Sequence, residues 1–535
     1  MIPSPFRIPQ RCPRDRQIAR EATIRANRAR YELTPDAMGG DPAEGFRLPP
    51  YLKALPKQET FVTQKLAELM GHKLQGELNA KLVFGGFGAI EDYRRLFRVV
   101  PEPTTARAWN DDVAFARQRV AGVNPMHLRA RDEAPPAEMA DAVGKVLAHH
   151  HTTLAHVMDR GRLFETDYAV LADPRIQKWT NGRHLATPRC LFFVGDDDVL
   201  RPIAIGNPGS PTYTPLDDPW AWQLAKWHAQ CADATIHEGV YHLLETHLVT
   251  EVIAVCAARN LHPDHPLTSL LTPHFANNLA IDDLARKDML APGQAIDLAL
   301  SPGSAGALNA IRLWFNAGWS WEARSLEPEL LARGMADRER LPDYPFRDHA
   351  RPLHHVLTDY VDGIVRAFYR TDAEVAGDPE ARAWATECAS HLPGFPVPAT
   401  REALVAACTE VIFRASVLHA AVNNGQYDAY GFVPNAPGSM LAPFPTKASY
   451  TEAEALAALP KGKAVFAQVE MSWVLSEPTH YGLLGIGAAP AFAAEVSPEA
   501  REVVATARRR IYALQTPKPS YLYLDPRNIE VSTGT

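Results

Sequence analysis

Three histidines lie in one apolar segment of the sequence, HEGVYHLLETHLVTE, which runs from residue 237 to residue 251. They are His237, His242 and His247, and each follows the previous one by five residues. Burying an imidazole costs desolvation free energy unless a metal ion or hydrogen-bond partners satisfy its ring nitrogens. The segment therefore predicts either a metal site or a set of well-partnered buried histidines.

A second apolar segment, SVLHAAVNNGQY, contains His419 and Asn423. These two residues are four apart, so on a regular α-helix they project from one face and can reach one ion. His242 and His247 are five apart, which turns them about 140° from each other on a regular helix. Both face one ion only if the helix contains a π-type turn, a rare feature that concentrates at functional sites. We therefore predict a π-distorted helix here and, if the two segments meet, a buried iron centre with mostly nitrogen ligands.

Two other interpretations of the histidines remain open at this point. They could be ordinary core residues or line a polar seam between helices, since buried polar side chains usually find partners within the protein. Zinc is also a common occupant of histidine-rich sites. Against zinc, no carboxylate or cysteine stands at a spacing typical of zinc hydrolases, and an asparagine amide is an unusual zinc ligand. Imidazole suits iron well, and an amide oxygen is a weak ligand that leaves the metal electrophilic.

The composition indicates a soluble enzyme with a large core, because 46% of the residues are hydrophobic and 22% are charged. The net charge of -7 gives no reason to expect nucleic-acid binding. Six scattered cysteines without a CxxC pair favour a reducing compartment over a disulfide framework. No uninterrupted apolar run reaches about 18 residues, and the N-terminus has no apolar leader segment. We expect a cytoplasmic or otherwise soluble protein, most simply a monomer.

The first thirty residues are strongly basic. Their only acidic residues are Asp15 and Glu21. The arginines are Arg7, Arg11, Arg14, Arg16, Arg20, Arg25, Arg28 and Arg30. The simplest interpretation is a solvated basic start, and the alternative is a peripheral contact with an anionic membrane surface.

Apolar spacing along the rest of the chain predicts a mainly α-helical protein. The segment 189–208 is the exception, because it reads as two short strands around an acidic turn. The basic arm is predicted to contain one short helix near 15–31, and a helical pattern begins near 58. The predicted long helices are 219–259, 306–318, 354–370, 400–425 and 497–514. Proline clusters separate these helices, and we see neither an internal repeat nor a low-complexity linker. One large helical domain is favoured over separable halves.

The residues around the histidines resemble the lipoxygenase family. HEGVYHLLETHLVTE is similar to the first iron-site segment of that family, and LHAAVNNGQYDAYGFVPNAPGSM is similar to the second. The other similar segments are DDVAFARQRVAGVNP, GRLFETDYAVL, WAWQLAK, DHPLTSLLTPHF, DYPFRDHA and SYLYLDPRNI, in the family's order. Ser269 departs from the pattern, since the family usually has Lys, Arg or Gln there. The resemblance covers about residues 105–535.

The resemblance implies that the iron ligands are His242, His247, His419 and Asn423, with His237 in a supporting role. The family's fifth protein ligand is the C-terminal main-chain carboxylate, here that of Thr535. The chain ends NIEVSTGT where the family ends close to IPNSISI. An α-carboxylate is anionic at neutral pH whatever its side chain. Threonine buries less apolar surface than isoleucine, so the anchoring of this end differs.

The implied fold is a large helical lipoxygenase-like catalytic domain, with a long central helix carrying a π-turn and a few small β-hairpins. We place it at residues 105–535, after an N-terminal arm and helical extension at 1–104. Many relatives begin with a β-sandwich lipid-binding domain, and we expect none here because residues before 105 lack a series of alternating strands. This suggests a bacterial-type minimal form.

The implied activity is the dioxygenation of polyunsaturated fatty acids such as linoleate or arachidonate. One non-haem iron, with manganese as the weaker alternative, holds a hydroxide that removes a bis-allylic hydrogen atom, and O2 then adds to give a hydroperoxide. The protein contributes positioning and oxygen access. The alternatives are hydroperoxide isomerase activity at the same iron and an inactive lipid-binding relative.

The resemblance also nominates substrate-binding residues. Ala285 stands where the family has a small residue that steers product stereochemistry, and alanine there implies an S-type product. Its neighbour Arg286 could meet the substrate carboxylate, although arginines are more often solvated or paired. Ala234, Ala299 and Leu300 stand near positions that set the depth of the pocket.

Overall fold

Helices make up most of this protein, and six short strands within the described residues form two small sheets. The computed structural model describes residues 6–34, 46–61, 63–82, 85–476, 483–487, 497–517 and 520–534. Thr535, one of the predicted metal ligands, lies outside these residues. In chain order the α-helices are α1 (Arg14–Arg30), α2 (Thr63–Lys81), α3 (Ile90–Arg94), α4 (Asp112–Ala121), α5 (Ala140–His149), α6 (Leu154–Asp159), α7 (Pro174–Gln177), α8 (Pro219–Ile236), α9 (Val249–Asn260), α10 (Pro266–Leu271), α11 (Asn278–Asp288), α12 (Ala295–Ala299), α13 (Gly303–Asn316), α14 (Leu326–Ala332), α15 (Pro345–Phe368), α16 (Asp372–Ala376), α17 (Pro379–His391), α18 (Arg401–Phe413), α19 (His419–Asn423), α20 (Gln426–Tyr430), α21 (Glu452–Ala457), α22 (Lys463–Leu475) and α23 (Pro498–Ala513).

The larger sheet is antiparallel and has its four strands in the order β3-β4-β5-β6. The predicted hairpin at 189–208 is its last pair, with an irregular register between Leu191 and Phe192. Asp198 adopts a left-handed conformation (φ 61°) in the connecting turn, which suits a short polar side chain. The strands are β1 (Leu33–Thr34) and β2 (Tyr51–Leu52), which pair with each other, then β3 (Arg129–Ala130), β4 (Leu163–Asp167), β5 (Arg189–Val194) and β6 (Leu200–Gly206).

One continuous helix of 42 residues runs through the centre of the molecule. It consists of α8, a π-helical segment π1 (His237–Leu248), and α9. Pro219 starts it, and the Asp218 side chain accepts hydrogen bonds from the amides of Trp220 and Ala221, which caps the first turn. Nearly every side chain of the helix is buried, so it is the core around which the other helices pack.

A second buried helix crosses the first and carries the other histidine segment. It consists of α18, a short π-helical segment π2 (Arg414–Leu418), and α19. Residues of π1 contact both π2 and α19. The sequence predicted the helix at 400–425 and the regular spacing of His419 and Asn423, but it did not predict π2, because no histidine pair spans that segment.

By length and mean hydropathy both of these helices could cross a membrane. The sequence contains no uninterrupted apolar run of that length, but each helix contains an 18-residue window of sufficient mean hydropathy. In each window 94% of the residues are buried inside the protein. The apolar side chains of both helices therefore pack in the core of the protein.

A buried ion pair joins the two π-helical segments. Arg414 Nη1 donates to the main-chain oxygen of Glu245 and to its carboxylate, both at 2.8 Å. The same carboxylate accepts from Arg324 Nε at 2.7 Å and from Trp319 Nε1 at 3.0 Å. Burial opposes ionisation of Glu245, yet the two guanidinium groups outweigh it and lower its pKa. Glu245 lies between His242 and His247, so this pair holds the two histidine segments together.

The residues that precede the helical body pack onto it. Helix α1 lies against α9, and α2 lies against α22. Arg20 pairs with Glu380 at 2.6 Å, which anchors the basic arm, whereas other arginines of α1 are exposed. No β-sandwich occurs in the described part of residues 6–96, as expected. The division of the chain at residue 104 stays a prediction.

The predicted fold class is confirmed, and the π-turn between His242 and His247 is present as part of a longer π-helical segment. One helix start was wrong. We expected a helix at 354–370, but α15 begins at Pro345, where proline suits the first helical position, and it continues through Pro352. An internal proline removes one hydrogen bond, which a long helix packed against the core along one face can sustain.

Replacing Arg414 by methionine should lower the free energy of unfolding by about 3 kcal/mol or more, because it removes one partner of a fully buried ion pair. Chemical denaturation followed by circular dichroism measures this change. Arg366→Met is the matched control, since Arg366 pairs with Asp362 on an exposed helix face and its loss should leave the midpoint almost unchanged. Equal denaturation midpoints for the two variants would contradict a stabilising role of the ion pair between Glu245 and Arg414.

Candidate metal centre

Three histidines from the two buried helices converge on one point. His242 Nε2 and His419 Nε2 each lie 3.2 Å from His247 Nε2. The three side chains form the one fully buried group of possible metal ligands among the described residues. His242 and His247 share a side of the central helix because π1 has more residues per turn than an α-helix.

The imidazoles of this cluster are kept neutral. Burial lowers the pKa of His242 and of His247 to about 4. Burial, followed by the neighbouring imidazoles, lowers the pKa of His419 well below its ordinary value. Neutral imidazoles whose Nε2 atoms face one another present lone pairs to the same small space, and a cation between them relieves that repulsion. The donor set therefore fits a divalent or trivalent metal ion.

A carboxylate stands behind each of the three imidazoles. His247 Nδ1 donates to Asp282 Oδ1 at 2.7 Å, and Glu238 Oε2 lies 3.3 Å from His242 Nδ1. Glu530 Oε2 lies 3.6 Å from His419 Nδ1. Such carboxylates orient a ligating imidazole and raise its basicity. The sequence did not predict any of these three roles, although Asp282 stands three residues before Ala285 and Glu238 follows the first histidine.

Asn423 is completely buried one helical turn after His419. Its Oδ1 accepts a hydrogen bond from Gln426 Nε2 at 2.9 Å, and that same Nε2 lies 3.4 Å from His242 Nδ1. Gln426 thus connects the asparagine to the histidine cluster, and the sequence analysis had not singled it out. The only signal was its place three residues after Asn423 in an apolar helix.

His237 does not join the converging group. Its Nε2 donates to the main-chain oxygen of Val422 at 2.8 Å, and its ring is nearly parallel to that of His242, with centroids 6.0 Å apart. The side chain therefore ties π1 to α19 beside the cluster. Its supporting role at the metal centre stays a prediction.

A second group of possible ligands consists of Cys256, Glu387 and His391. The Glu387 carboxylate already accepts hydrogen bonds from Arg259 Nε at 2.8 Å and from the Asn260 amide. A cation there would have to displace a guanidinium group. The histidine cluster is therefore the better candidate for a metal centre.

An apolar cavity of about 440 Å³ is lined by α11, the helix that carries Asp282. Ile281, Leu284 and Ala285 of this helix line the cavity, and Asp282 of the same helix accepts a hydrogen bond from His247. Helices α2, α12 and α22 supply the other walls, and the rim carries Lys73, Asp288 and Glu470. A long apolar chain with a polar end fits such a space.

Comparisons with known proteins identify the family. The lipoxygenase family model matches residues 97–471. The chain is 34% identical to human polyunsaturated fatty acid lipoxygenase ALOX12 over 74% of its length and 61% of that protein. It is 31% identical to human hydroperoxide isomerase ALOXE3 over 87% of its length and 68% of that protein. The chain belongs to the lipoxygenase family. Lipoxygenases are dioxygenase oxidoreductases and contain non-haem iron.

Solved lipoxygenase structures share the whole fold. The crystal structure of Delta413-417:GS LOX in complex with arachidonate has a TM-score of 0.89 and 26% identity, and the superposition covers 99% of this chain and 83% of that one. For coral 8R-lipoxygenase the TM-score is 0.87, with 26% identity and coverage of 99% and 83%. The chain spans about three fifths of the length of ALOX12.

The other residues nominated from the lipoxygenase resemblance do not line this cavity. Both terminal nitrogens of Arg286 donate to Glu251, at 2.8 and 3.0 Å, so its charge is paired. Burial raises the pKa of Glu251 to about 7, and Arg286 opposes that rise. Ala234, Ala299 and Leu300 are buried, but none of them lines the cavity described above.

Replacing His242 by alanine should abolish tight iron binding, because one of the three converging lone pairs is lost. His237→Ala is the matched control and should keep one iron per chain. Metal analysis measures the iron content of each variant. Added iron should raise the thermal midpoint of the wild type and of the control but not that of His242→Ala, because a ligand held at a hundred times its Kd stabilises the folded protein by roughly 2.7 kcal/mol. Equal iron loss in both variants would mean that the ligand assignment is wrong.

Proposed function

We propose that this lipoxygenase oxygenates polyunsaturated fatty acids of the linoleate or arachidonate type. Iron would be held by His242, His247, His419 and Asn423. When bound, iron supplies the hydrogen abstraction and oxygenation chemistry of the family. The observation that carries the proposal is the convergence of three neutral, carboxylate-backed imidazoles, one of them held by α11, whose neighbouring residues line an apolar cavity large enough for an acyl chain.

We include the C-terminal carboxylate of Thr535 as a further ligand in this proposal. Its support comes from the residues just before it. Thr533 Oγ1 accepts from Asn278 Nδ2 at 2.6 Å, and the main-chain oxygen of Val531 accepts from His274 Nδ1 at 2.8 Å. Asn278 also donates to Asp282, the partner of His247. The C-terminal segment is therefore bound to the same helix that orients a ligand histidine.

The protein contributes binding, orientation and the exclusion of water. Asp282 and Glu238 fix the ring planes of two histidines, and Gln426 orients the weak amide ligand. The cavity wall formed by Leu284 and Ala285 would position the acyl chain. Arg286 pairs with Glu251, so a role at the substrate carboxylate would require exchange of that partner, and we do not include it in the proposal.

Hydroperoxide isomerisation is the second candidate, and the similarity to human ALOXE3 favours it. Both reactions use the same iron and the same cavity. They differ in the substrate consumed, because a dioxygenase takes up O2 and an isomerase rearranges a preformed hydroperoxide. We propose iron rather than manganese, and a monomer in the cytoplasm, as further parts of the hypothesis.

Iron-loaded protein should consume O2 with linoleate or arachidonate and form a conjugated-diene hydroperoxide. An oxygen electrode and ultraviolet absorbance measure the two quantities on one sample. The His242→Ala variant is the control and should show neither signal. Conversion of an added hydroperoxide without O2 uptake would favour the isomerase, and an iron-loaded protein that acts on neither class of substrate would be an inactive lipid-binding relative.

The Ala285→Gly substitution should shift the product from the S towards the R configuration and to a neighbouring carbon, because it opens space in the cavity wall. Chiral chromatography of the products measures this. Ala295→Gly is the matched control, since Ala295 lines the same cavity from α12, and it should leave the product configuration unchanged. An unchanged product from the Ala285 variant would mean that this wall does not control oxygen access.

A further inference from the structure

Helix α2 carries a row of exposed apolar side chains. Leu66, Met70, Leu74 and Leu78 are 47%, 59%, 54% and 42% exposed, and Leu82, just after the helix, is 50% exposed. We call these five residues the α2 stripe. Single exposed leucines are common on soluble proteins, but a continuous row of them marks an interaction surface.

The spacing shows that the row is continuous. Successive members are four residues apart, so each is turned by only about 40° from the one before it. Of the fourteen large hydrophobic side chains that are exposed among the described residues, four belong to α2 and a fifth, Leu82, follows it directly.

The stripe is continuous with the apolar cavity. Leu66 and Met70 belong to both, since they line the cavity next to Leu284 and Ala285 and are also exposed to solvent. Whatever covers the stripe therefore also covers one wall of the cavity. A protein partner seated there would obstruct that side, whereas a lipid layer would offer its acyl chains to it directly.

The charges near the stripe do not select a strongly charged partner. Lys73 pairs with Asp288 at 3.5 Å and Lys81 approaches Glu77 at 3.9 Å. The stripe is thus an apolar surface with locally balanced charge, unlike the arginine-rich face of α1. A neutral lipid surface suits it better than an anionic polymer.

We propose that the α2 stripe docks the protein on the surface of a neutral lipid layer, so that an acyl chain enters the cavity past Leu66 and Met70. This inference rests on the proposed function, since it assumes that the cavity takes a fatty acid. It assigns the lipid contact to α2 rather than to the basic N-terminal arm.

Flotation of the iron-loaded protein with phosphatidylcholine vesicles tests the proposal. The test variant is Leu74→Ser with Leu78→Ser, because neither residue lines the cavity. The matched control is Leu216→Ser with Leu331→Ser, two leucines that are 47% and 66% exposed elsewhere. We expect the wild type and the control to bind alike, at low and at high salt. The α2 variant should bind about tenfold or more weakly, given the apolar area removed.

A fluorescent label gives an independent readout that does not depend on loss of binding. All six native cysteines are buried, so Leu74→Cys introduces one accessible thiol for an environment-sensitive dye. Vesicles should shift its emission to the blue, and a dye on Leu331→Cys should not respond. Circular dichroism and iron content check that each variant is folded.

Three results would overturn the proposal. The first is equal vesicle binding by the α2 variant and the wild type. The second is binding that needs anionic lipid and disappears at high salt, which would assign the contact to the arginines of α1. The third is a wild-type dimer in light scattering that the α2 substitutions dissociate, which would make a second copy the occupant.

Failure of the proposed function gives a different pattern. In that case dissolved linoleate produces no conjugated diene with the wild-type protein, whatever the vesicles do. If instead the docking proposal alone is wrong, all three proteins (wild type, α2 variant and control) oxygenate dissolved linoleate. They then also use vesicle-embedded linoleate equally well. If it is right, only the vesicle-embedded substrate is used more slowly by the α2 variant.

Discussion

Three neutral imidazoles that face one another inside the protein are the constraint on which the rest of the site depends. The Nε2 atoms of His242 and His419 each lie 3.2 Å from that of His247. Burial lowers the pKa of His242 and His247 to about 4. Such a cluster is unfavourable unless a cation fills it, and it persists only if the surrounding structure holds each ring in place. The carboxylates behind the rings and the buried helices that carry them provide that support.

The two π-helical segments give the cluster its geometry. In π1 the wider turn brings residues five apart onto one side, so the histidine repeat and the backbone distortion belong together. The ion pair between Glu245 and Arg414 then fixes π1 against π2, and Arg414 comes five residues before His419. Helix α11 adds a third support, because Asp282 accepts a hydrogen bond from His247 while other residues of the same helix line the apolar cavity. Metal centre and cavity are therefore coupled through one short helix.

Much of this could be predicted from the sequence. The long helices, the hairpin near 189–208 and the π-turn at His242 follow from local periodicity, which depends only on residues near one another in the chain. The resemblance of ordered motifs indicated the lipoxygenase family, which the comparisons confirmed. Other features could not be predicted in this way. Asp282, Gln426 and Glu530 reach the histidines from other helices or the C-terminal segment, and no local pattern marks an aspartate that accepts from a particular imidazole.

The sequence by itself determined the helical class, the family and the residues able to bind a metal, because periodicity and motif order are properties of the linear chain. Only the tertiary structure decided which side chains meet. It grouped three histidines and left His237 beside them, and it paired Arg286 with Glu251. It also left the leucines of α2 exposed beside a cavity. Contacts between distant segments depend on how helices pack. The same apolar spacing that buries α9 leaves the leucines of α2 exposed, because none of the other described helices covers them.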